Sequence, residues 1–293
     1  MDSRSEVRDF LASRRARVTP EQAGLRVYGG LRRVPGLRRE EVAMLAGVSV
    51  DYYTRLERGN LAGVSDQVLD ALSRALQLDD AEREHLEHLA RAAGPARHGR
   101  ARRRPASTVR PVVQRILDSM HGTPAFVRNG RLDVLGANAL GEALYSELYA
   151  DPSRPVNHAR FNFLNPAARR FWGDWDRAAY DTVAILRAEA GRDPYDRDLT
   201  ALVGELSTRS EEFRRLWASH DVKHHDTGVK TFVHPVVGRL DLAFESLDLA
   251  ADSGLTVLAY SAEPGSPADD GLKMLASWAA TRRTEQAAVD GLA

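Results

Sequence analysis

The sequence predicts two domains: an all-α helix-turn-helix bundle of five helices, then an α+β domain in which helices cover an antiparallel sheet. Three observations predict it. Residues 37–60, LRREEVAMLAGVSVDYYTRLERGN, read as two short helices on either side of a tight turn. Apolar spacing is helical through the first 93 residues and switches to a period of two from Val222. Between the two regions Arg97, Arg100, Arg102, Arg103 and Arg104 run up to Pro105, the composition of a linker. The expected boundaries are 1–95, a linker over 96–108, and 109–293.

Composition narrows the classes. A chain of 293 residues is long enough for two separate cores. It has no run of about 18 apolar residues, so no membrane span is expected. The charged N-terminus, MDSRSEVRDFLASRRARV, lacks the apolar stretch of a signal peptide, so the expected location is cytoplasmic. The absence of cysteine excludes disulfides, thiol catalysis, iron–sulfur clusters and thiolate zinc sites. Zero net charge conceals an asymmetry: residues 1–110 hold 21 arginines against 15 acidic side chains, a net of +6 that the remainder offsets with −6. A basic front half suits contact with phosphates.

In chain order, Glu6–Val18 has helical spacing, with Val7, Phe10 and Leu11 on one side. Thr19–Gly36 contains four glycines and two prolines and reads as an irregular excursion carrying Arg26, Arg32 and Arg33. Arg38–Ala46 places Glu40 and Glu41 in its first turn, where the helix dipole favours acid, and Val42, Leu45 and Ala46 on one face. Gly47 allows a left-handed stop and Ser49 caps the next helix, Val50–Arg58. In that helix Tyr53 and Leu56 face inward with Val48, while Val50, Asp51, Thr54 and Arg55 share the opposite face. Ser65–Leu76 and Asp79–Ala93 complete the five helices.

The turn segment closely resembles the XRE (Cro/repressor-like) helix-turn-helix on Glu41, Ala43, Ala46, Gly47, Val48, Ser49, Tyr52, Glu57 and Gly59. The long excursion before it departs from that family. The resemblance implies double-stranded DNA as a partner, with Ser49, Val50, Asp51, Tyr52, Thr54, Arg55 and Arg58 on the recognition helix and Arg38 and Arg39 on phosphates. Arg55 suits guanine O6 and N7, and Val50 a thymine methyl. Asp51 has two open readings, a cytosine amino group or an ion pair with Arg55 four residues on. Glu57 is expected to pair with Arg14 or Arg15. One module reads few base pairs, so a homodimer on a palindromic operator is expected.

In the second domain Val112–Met120 is a short helix. Ala125–Arg128, Asn129-Gly130 and Leu132–Ala137 give a hairpin signal with a type I′ turn. Asn138–Tyr149, Pro166–Phe171, Asp174–Ala190, Arg197–Ser207 and Ser210–Ser219 follow as helices. Val222–His225, Lys230–Val236, Leu240–Leu247 and Leu255–Ser261 read as strands, making a sheet of about five or six, and Gly271–Ala280 as a last helix. The opening hairpin and helix resemble a PAS-like sensor. Three motifs occur in order: W-x-x-H-D-V (Trp217, His220, Asp221, Val222), G-x-K-x-x-x-H-P-x-V-G (Gly228, Lys230, His234, Pro235, Val237, Gly238) and Y-x-A-E-P-G-S (Tyr260–Ser266). They resemble the ligand-binding domain of MmyB-like transcriptional regulators, an actinobacterial group that GLRREEVA and DYYTRLERG also match. The resemblance covers nearly the whole chain. It implies a ligand-responsive transcription factor whose 109–293 region binds ligand and dimerises.

A sheet half-wrapped by helices leaves an apolar pocket between its layers. Its expected lining is Phe126, Phe161, Phe163, Trp172, Trp217, Phe232 and Phe244, and its expected content an apolar or amphipathic small molecule such as a fatty acid. His220, His224, His225 and His234 with Asp221 and Asp226 are the one cluster with metal-ligand chemistry. On a strand, however, His224 and His225 point to opposite faces, so structural hydrogen bonds from His220 and His234 are the expectation and no metal or cofactor is assigned. The sequence lacks a Gly-rich phosphate loop, G-x-S-x-G and H-E-x-x-H, so no catalytic residue is assigned. The rival readings are an interaction adaptor that keeps the helix-turn-helix as scaffold, and an enzyme with a regulatory N-terminus.

Overall fold

The computed structural model describes residues 3–25, 34–94, 108–152, 154–222 and 226–290. Five helices open the chain: α1 (Ser3–Arg17), α2 (Arg39–Leu45), α3 (Val50–Glu57), α4 (Asp66–Ala75) and α5 (Asp80–Ala93). Their apolar stripes meet in one core, where Val7, Phe10, Leu11, Val42, Tyr53, Leu56, Leu72, Leu86 and Leu89 are almost fully buried. The expected five-helix bundle is therefore present. Gly36 shows why the chain enters α2 as it does. A Cβ there would lie 2.5 Å from the carbonyl oxygens of Arg15 and Ala16, so only glycine lets the backbone pass α1 this closely. Arg26, Arg32 and Arg33 lie outside the described residues.

The second region begins with α6 (Pro111–Ser119), β1 (Ala125–Asn129), β2 (Val134–Ala137), α7 (Ala139–Leu144) and α8 (Ser146–Tyr149). It continues with α9 (His158–Leu164), α10 (Ala168–Phe171), α11 (Trp175–Arg192), α12 (Arg197–Arg209) and α13 (Glu211–Trp217). It ends with β3 (Thr227–His234), β4 (Gly238–Asp248), β5 (Leu255–Ser261) and α14 (Pro267–Asp290). The strands form one antiparallel sheet in the order β2-β1-β5-β4-β3. This is the α+β, PAS-like architecture the sequence predicts.

Period-two alternation sets the two faces of the sheet. Phe126, Phe232, Leu240, Leu242, Phe244, Leu258 and Tyr260 pack against Leu144, Tyr145, Phe161, Phe171, Trp172, Leu272 and Leu275 from the helices. The opposite face is not bare where β1 and β5 run: Ala125, Val127, Leu255 and Val257 pack with Val113 and Leu117 of α6. Cover on a single face is thus too simple a description.

Local departures from the sequence reading have local causes. The first hairpin forms, but not through a two-residue Asn-Gly turn. Asn129 Oδ1 accepts from the backbone N–H groups of Arg131 and Asp133, both at 3.0 Å, and Leu132 takes the left-handed φ of +66°. The asparagine side chain therefore builds a longer turn than a type I′ pair would. Asn138 caps α7, accepting from Gly141 N at 2.7 Å, and the expected helix over 138–149 breaks at Tyr145 into α7 and α8. Helix α9, unmarked by periodicity, starts at Asn157, which accepts from Arg160 N at 3.0 Å.

Two compact units emerge, and they do not follow a single cut in the sequence. One holds residues 1–101, 183–207 and 214–224; the other holds 102–182, 208–213 and 225–293. Val222 shows why the expected strand over 222–225 does not start there: its side chain is buried in the core of the helical unit. Residues 223–225, including His224 and His225, lie outside the described residues.

Candidate DNA-binding and ligand-binding sites

The helix-turn-helix is built by its caps. Arg38 N donates to Glu41 Oε2 at 2.6 Å at the start of α2. Gly47 turns the chain at φ +66°, and Ser49 Oγ accepts from Tyr52 N at 3.1 Å to open α3. Tyr53 and Leu56 anchor α3 from inside with no exposure. Its other side leaves Ser49, Val50, Asp51, Arg55 and Arg58 exposed, with Tyr52 and Thr54 half-buried.

Arg55 lies over the Tyr52 ring, 5.1 Å from its centroid. Among the described residues no ion pair joins it to Asp51, so the intrahelical reading of Asp51 is not what forms. Arg39 is engaged: it donates to Glu57 Oε2 while Arg15 Nε donates to Glu57 Oε1 at 2.6 Å. Of the two arginines the sequence offered Glu57, Arg15 is the partner. Arg14 turns to Glu82 at 2.9 Å. Met44 was missed by sequence reasoning. It falls off the apolar face of α2 and stands 63% exposed, an uncovered apolar side chain close to the turn.

Of the seven aromatics expected around a ligand, five share one core: Phe126, Phe161, Trp172, Phe232 and Phe244. Phe163 packs instead between Trp175 and Phe213, with ring centroids at 6.1 and 5.1 Å. Trp217 belongs to the helical unit, where the Arg187 guanidinium stacks 4.1 Å from its ring centroid. Period-two and aromatic content do not distinguish these destinations, because both residues sit on helices whose partners are set by tertiary packing.

The five-aromatic core also holds polar groups that periodicity does not reveal. Lys230 Nζ lies 4.9 Å from the Phe244 ring centroid, 5.5 Å from that of Trp172 and 5.9 Å from that of Tyr260. Burial, with help from the nearby Arg128 charge, lowers its pKa to about 7. Lys230 nevertheless keeps some accessible area. Among the described residues it has no ion-pair or hydrogen-bond partner.

His158 stacks on Phe126 at 4.9 Å and meets the edge of Tyr145 at 4.8 Å. Its Nε2 is buried without a hydrogen-bond partner, and burial beside the positive Lys230 and Arg128 keeps the ring neutral, well below the usual histidine range. The Tyr145 and Tyr260 hydroxyls bond each other at 2.6 Å. A separate cavity of about 510 Å³ lies between α7, α8 and α14, lined by Glu142, Ser146, Tyr149, Trp278, Arg282 and Arg283. It shares none of the expected aromatics.

Of the histidines considered for metal, His220 and His234 lie within the described residues, and both are engaged by protein groups. Val236 N donates to His234 Nδ1 at 3.2 Å, which leaves Nε2 to donate to Ala143 O at 3.0 Å. His220 Nδ1 is 3.0 Å from Arg187 Nη1. Among the described residues no group of three His, Asp or Glu side chains is placed to hold a metal ion.

Residues 109–275 match the MmyB-like transcription regulator ligand binding domain, and residues 6–86 match a helix-turn-helix domain. The chain belongs to the MmyB-like transcription regulator family. No curated protein matches it. The MmyB-like match spans the whole five-stranded sheet, and the helix-turn-helix match spans α2 and α3 with their supporting helices. The pairing supports a ligand-responsive DNA-binding transcription regulator. No helix among the described residues is long and apolar enough to cross a membrane.

Proposed function

We propose that this MmyB-like regulator reads a specific DNA sequence through α3 and senses an amphipathic carboxylate, such as a fatty acid, in the core between sheet and helices. The observation that carries the ligand class is Lys230. A buried cation ringed by Trp172, Phe244 and Tyr260, with the Asp181 charge acting on it but no ion-pair partner among the described residues, costs free energy, which an incoming carboxylate offsets. The orphaned His158 Nε2 in the same core is a second polar group awaiting a partner. Around them the apolar walls of Phe126, Phe161, Phe232 and Phe244 suit a hydrocarbon chain.

On DNA, Arg55 and Val50 read base edges, Thr54, Asp51 and Ser49 sit beside them, and Arg38, Arg39, Tyr52 and Arg58 hold phosphates. The proposal extends to a homodimer on a palindromic operator, a cytoplasmic location, and XRE-type reading by the 1–95 module with sensing by 109–293. The enzyme and adaptor readings lack a comparable observation in their favour.

The test is calorimetry on the full chain with saturated fatty acids of increasing length and with the matching alcohols. Each added methylene should strengthen binding by about 0.8 kcal/mol until the core is filled. The acids should bind more tightly than the alcohols, and Lys230→Met should abolish that preference. Equal binding of acid and alcohol to the unaltered protein would refute the carboxylate assignment.

A further inference from the structure

The W-x-x-H-D-V motif is not used by the proposed ligand core. In the helical unit it forms the floor of a buried charge cluster. Arg187 of α11 stacks on Trp217, donates to Trp217 O, pairs with Glu6 of α1, and lies 3.0 Å from His220 Nδ1. Arg14 of α1 donates to His220 O and lies 3.5 Å from Asp221, which also accepts from Arg17. From α5, Glu82 sits 2.9 Å from Arg14, and His85 Nε2 sits 3.9 Å from Glu6. The contacts of Glu6, Arg14 and Arg17 with Arg187, His220 and Asp221 tie the first helix of the DNA-binding bundle to residues 187–221, and Glu82 and His85 of the fifth helix close the cluster from the bundle side. Val222 adds an apolar side chain to the same bundle's core.

The cluster is incompletely satisfied. Arg14 Nε and Nη1 meet Glu82 and Asp221 as ion pairs without hydrogen-bond geometry, and both ring nitrogens of His85 and Arg187 Nε are buried without a hydrogen-bond partner. A buried ion pair with unmet donors recovers less than its desolvation cost, so such a junction specifies geometry more than it cements it. Helix α11 carries Arg187 in the helical unit, while its residues up to Thr182 belong to the sheet unit. Gly191, in the same helix, approaches so closely that a Cβ would lie 2.4 Å from His85 Nδ1.

We infer that Glu6, Arg14, Arg187, His220 and Asp221 form a releasable polar lock that fixes the helix-turn-helix bundle on residues 183–207 and 214–222 of the same unit. The W-x-x-H-D-V residues are the receiving half of the lock. Its release frees the bundle to reorient without unfolding.

The cysteine-free sequence allows a direct test on the full chain. Nitroxide labels at Met44→Cys and Tyr195→Cys, positions 63% and 80% exposed within the helical unit, report the distance between bundle and segment by pulsed electron resonance. The unaltered lock should give one narrow distance distribution. Arg187→Met with Glu6→Gln should broaden it at least twofold in width while helical circular dichroism stays the same. Asp221→Asn, at the partly exposed rim, and Gly191→Ala, which wedges against His85, supply milder disruptions if the central pair proves essential for folding. A narrow distribution retained in folded Asp221→Asn and Gly191→Ala proteins, or a broad one before any substitution in the cluster, would overturn the lock.

Discussion

Arg15 Nε donates to Glu57 Oε1 at 2.6 Å, and this carboxylate at the end of the recognition helix is 2% exposed. Arg39 takes the other oxygen and Tyr53 approaches from within the core. The seating of α3 in the bundle therefore rests on charges contributed by α1 and α2. Glu57→Ala leaves Arg15, itself only 16% exposed, without its counter-charge, and should cost about 3 kcal/mol. Thermal and urea melts of the full chain would register it. DNA affinity should fall only as the folded fraction does.

Base readout separates from phosphate contact. Arg55→Ala should weaken operator binding by about 1–3 kcal/mol and relax the preference at one base pair. Arg38→Ala should weaken binding to all sequences alike and lower the salt slope by about one. Titrations of specific and random duplexes at several salt concentrations distinguish them. Equal losses on both duplexes for Arg55→Ala would contradict its assignment to a base edge.

Lys230 predicts a pH signature for the ligand. Its pKa lies near 7 in the free protein against an ordinary 10.5, so the ammonium is charged below that point and neutral above it. A bound carboxylate stabilises the charged form, and binding above pH 7 must take up a proton. Affinity for a fatty acid should be flat below pH 7 and fall about tenfold per unit above it, until the complex itself deprotonates. The corresponding alcohol should show no such slope. Calorimetry in buffers of different ionisation heat would count the proton directly.

Acid should destabilise the helical unit through two overlapping titrations. Burial keeps His85 neutral, with a pKa lowered to about 3, so the unfolded chain binds its proton first as pH falls below 6.5. Glu6 behaves as a depressed carboxylate: burial raises its pKa, but the His220 hydrogen bond and the Arg187 charge lead the interactions that outweigh it and bring it to about 2. Its stabilisation is fully present above the unfolded value of 4.5 and is lost as pH falls toward 2. Each group contributes up to about 1.4 kcal/mol per pH unit within its window. His85→Phe should abolish the slope between pH 6.5 and 4.5 and reduce it between 4.5 and about 3, leaving the Glu6 contribution there and below. An unchanged slope would place the proton uptake elsewhere.

Gly141 tests the seat of α7 on the sheet. A Cβ there would fall 2.5 Å from Ala125 O on β1, and backbone cannot yield as a flexible side chain does. Gly141→Ala should destabilise by about 1–3 kcal/mol despite the better helix propensity of alanine. A rise in melting temperature would show that the helix shifts freely.

The local rules were legible where one residue type answers one backbone need. Gly47 and Ser49 mark the turn and cap between α2 and α3, and the alternation around Phe232, Leu242 and Tyr260 marks the strands. Helix α9 was not legible, because seven residues with apolar groups on more than one side give no clear period. Phe163 and Trp217 looked like their fellow aromatics because residue type carries no address.

By itself the sequence determined the helix-turn-helix, the outward face of α3, the family resemblance and the antiparallel sheet. These follow from short-range causes: caps, spacing, and the alternation of side chains along a strand. Only the tertiary structure decided that Glu57 takes Arg15 while Arg14 takes Glu82, that Trp217 lies under Arg187, and that Lys230 ends buried among aromatic rings. Which charge meets which is a matter of long-range packing, and many arginines are equivalent until the fold removes water from some of them. Desolvation, a property of the assembled core, turns Lys230 and Arg187 from ordinary cations into the most informative side chains of the protein.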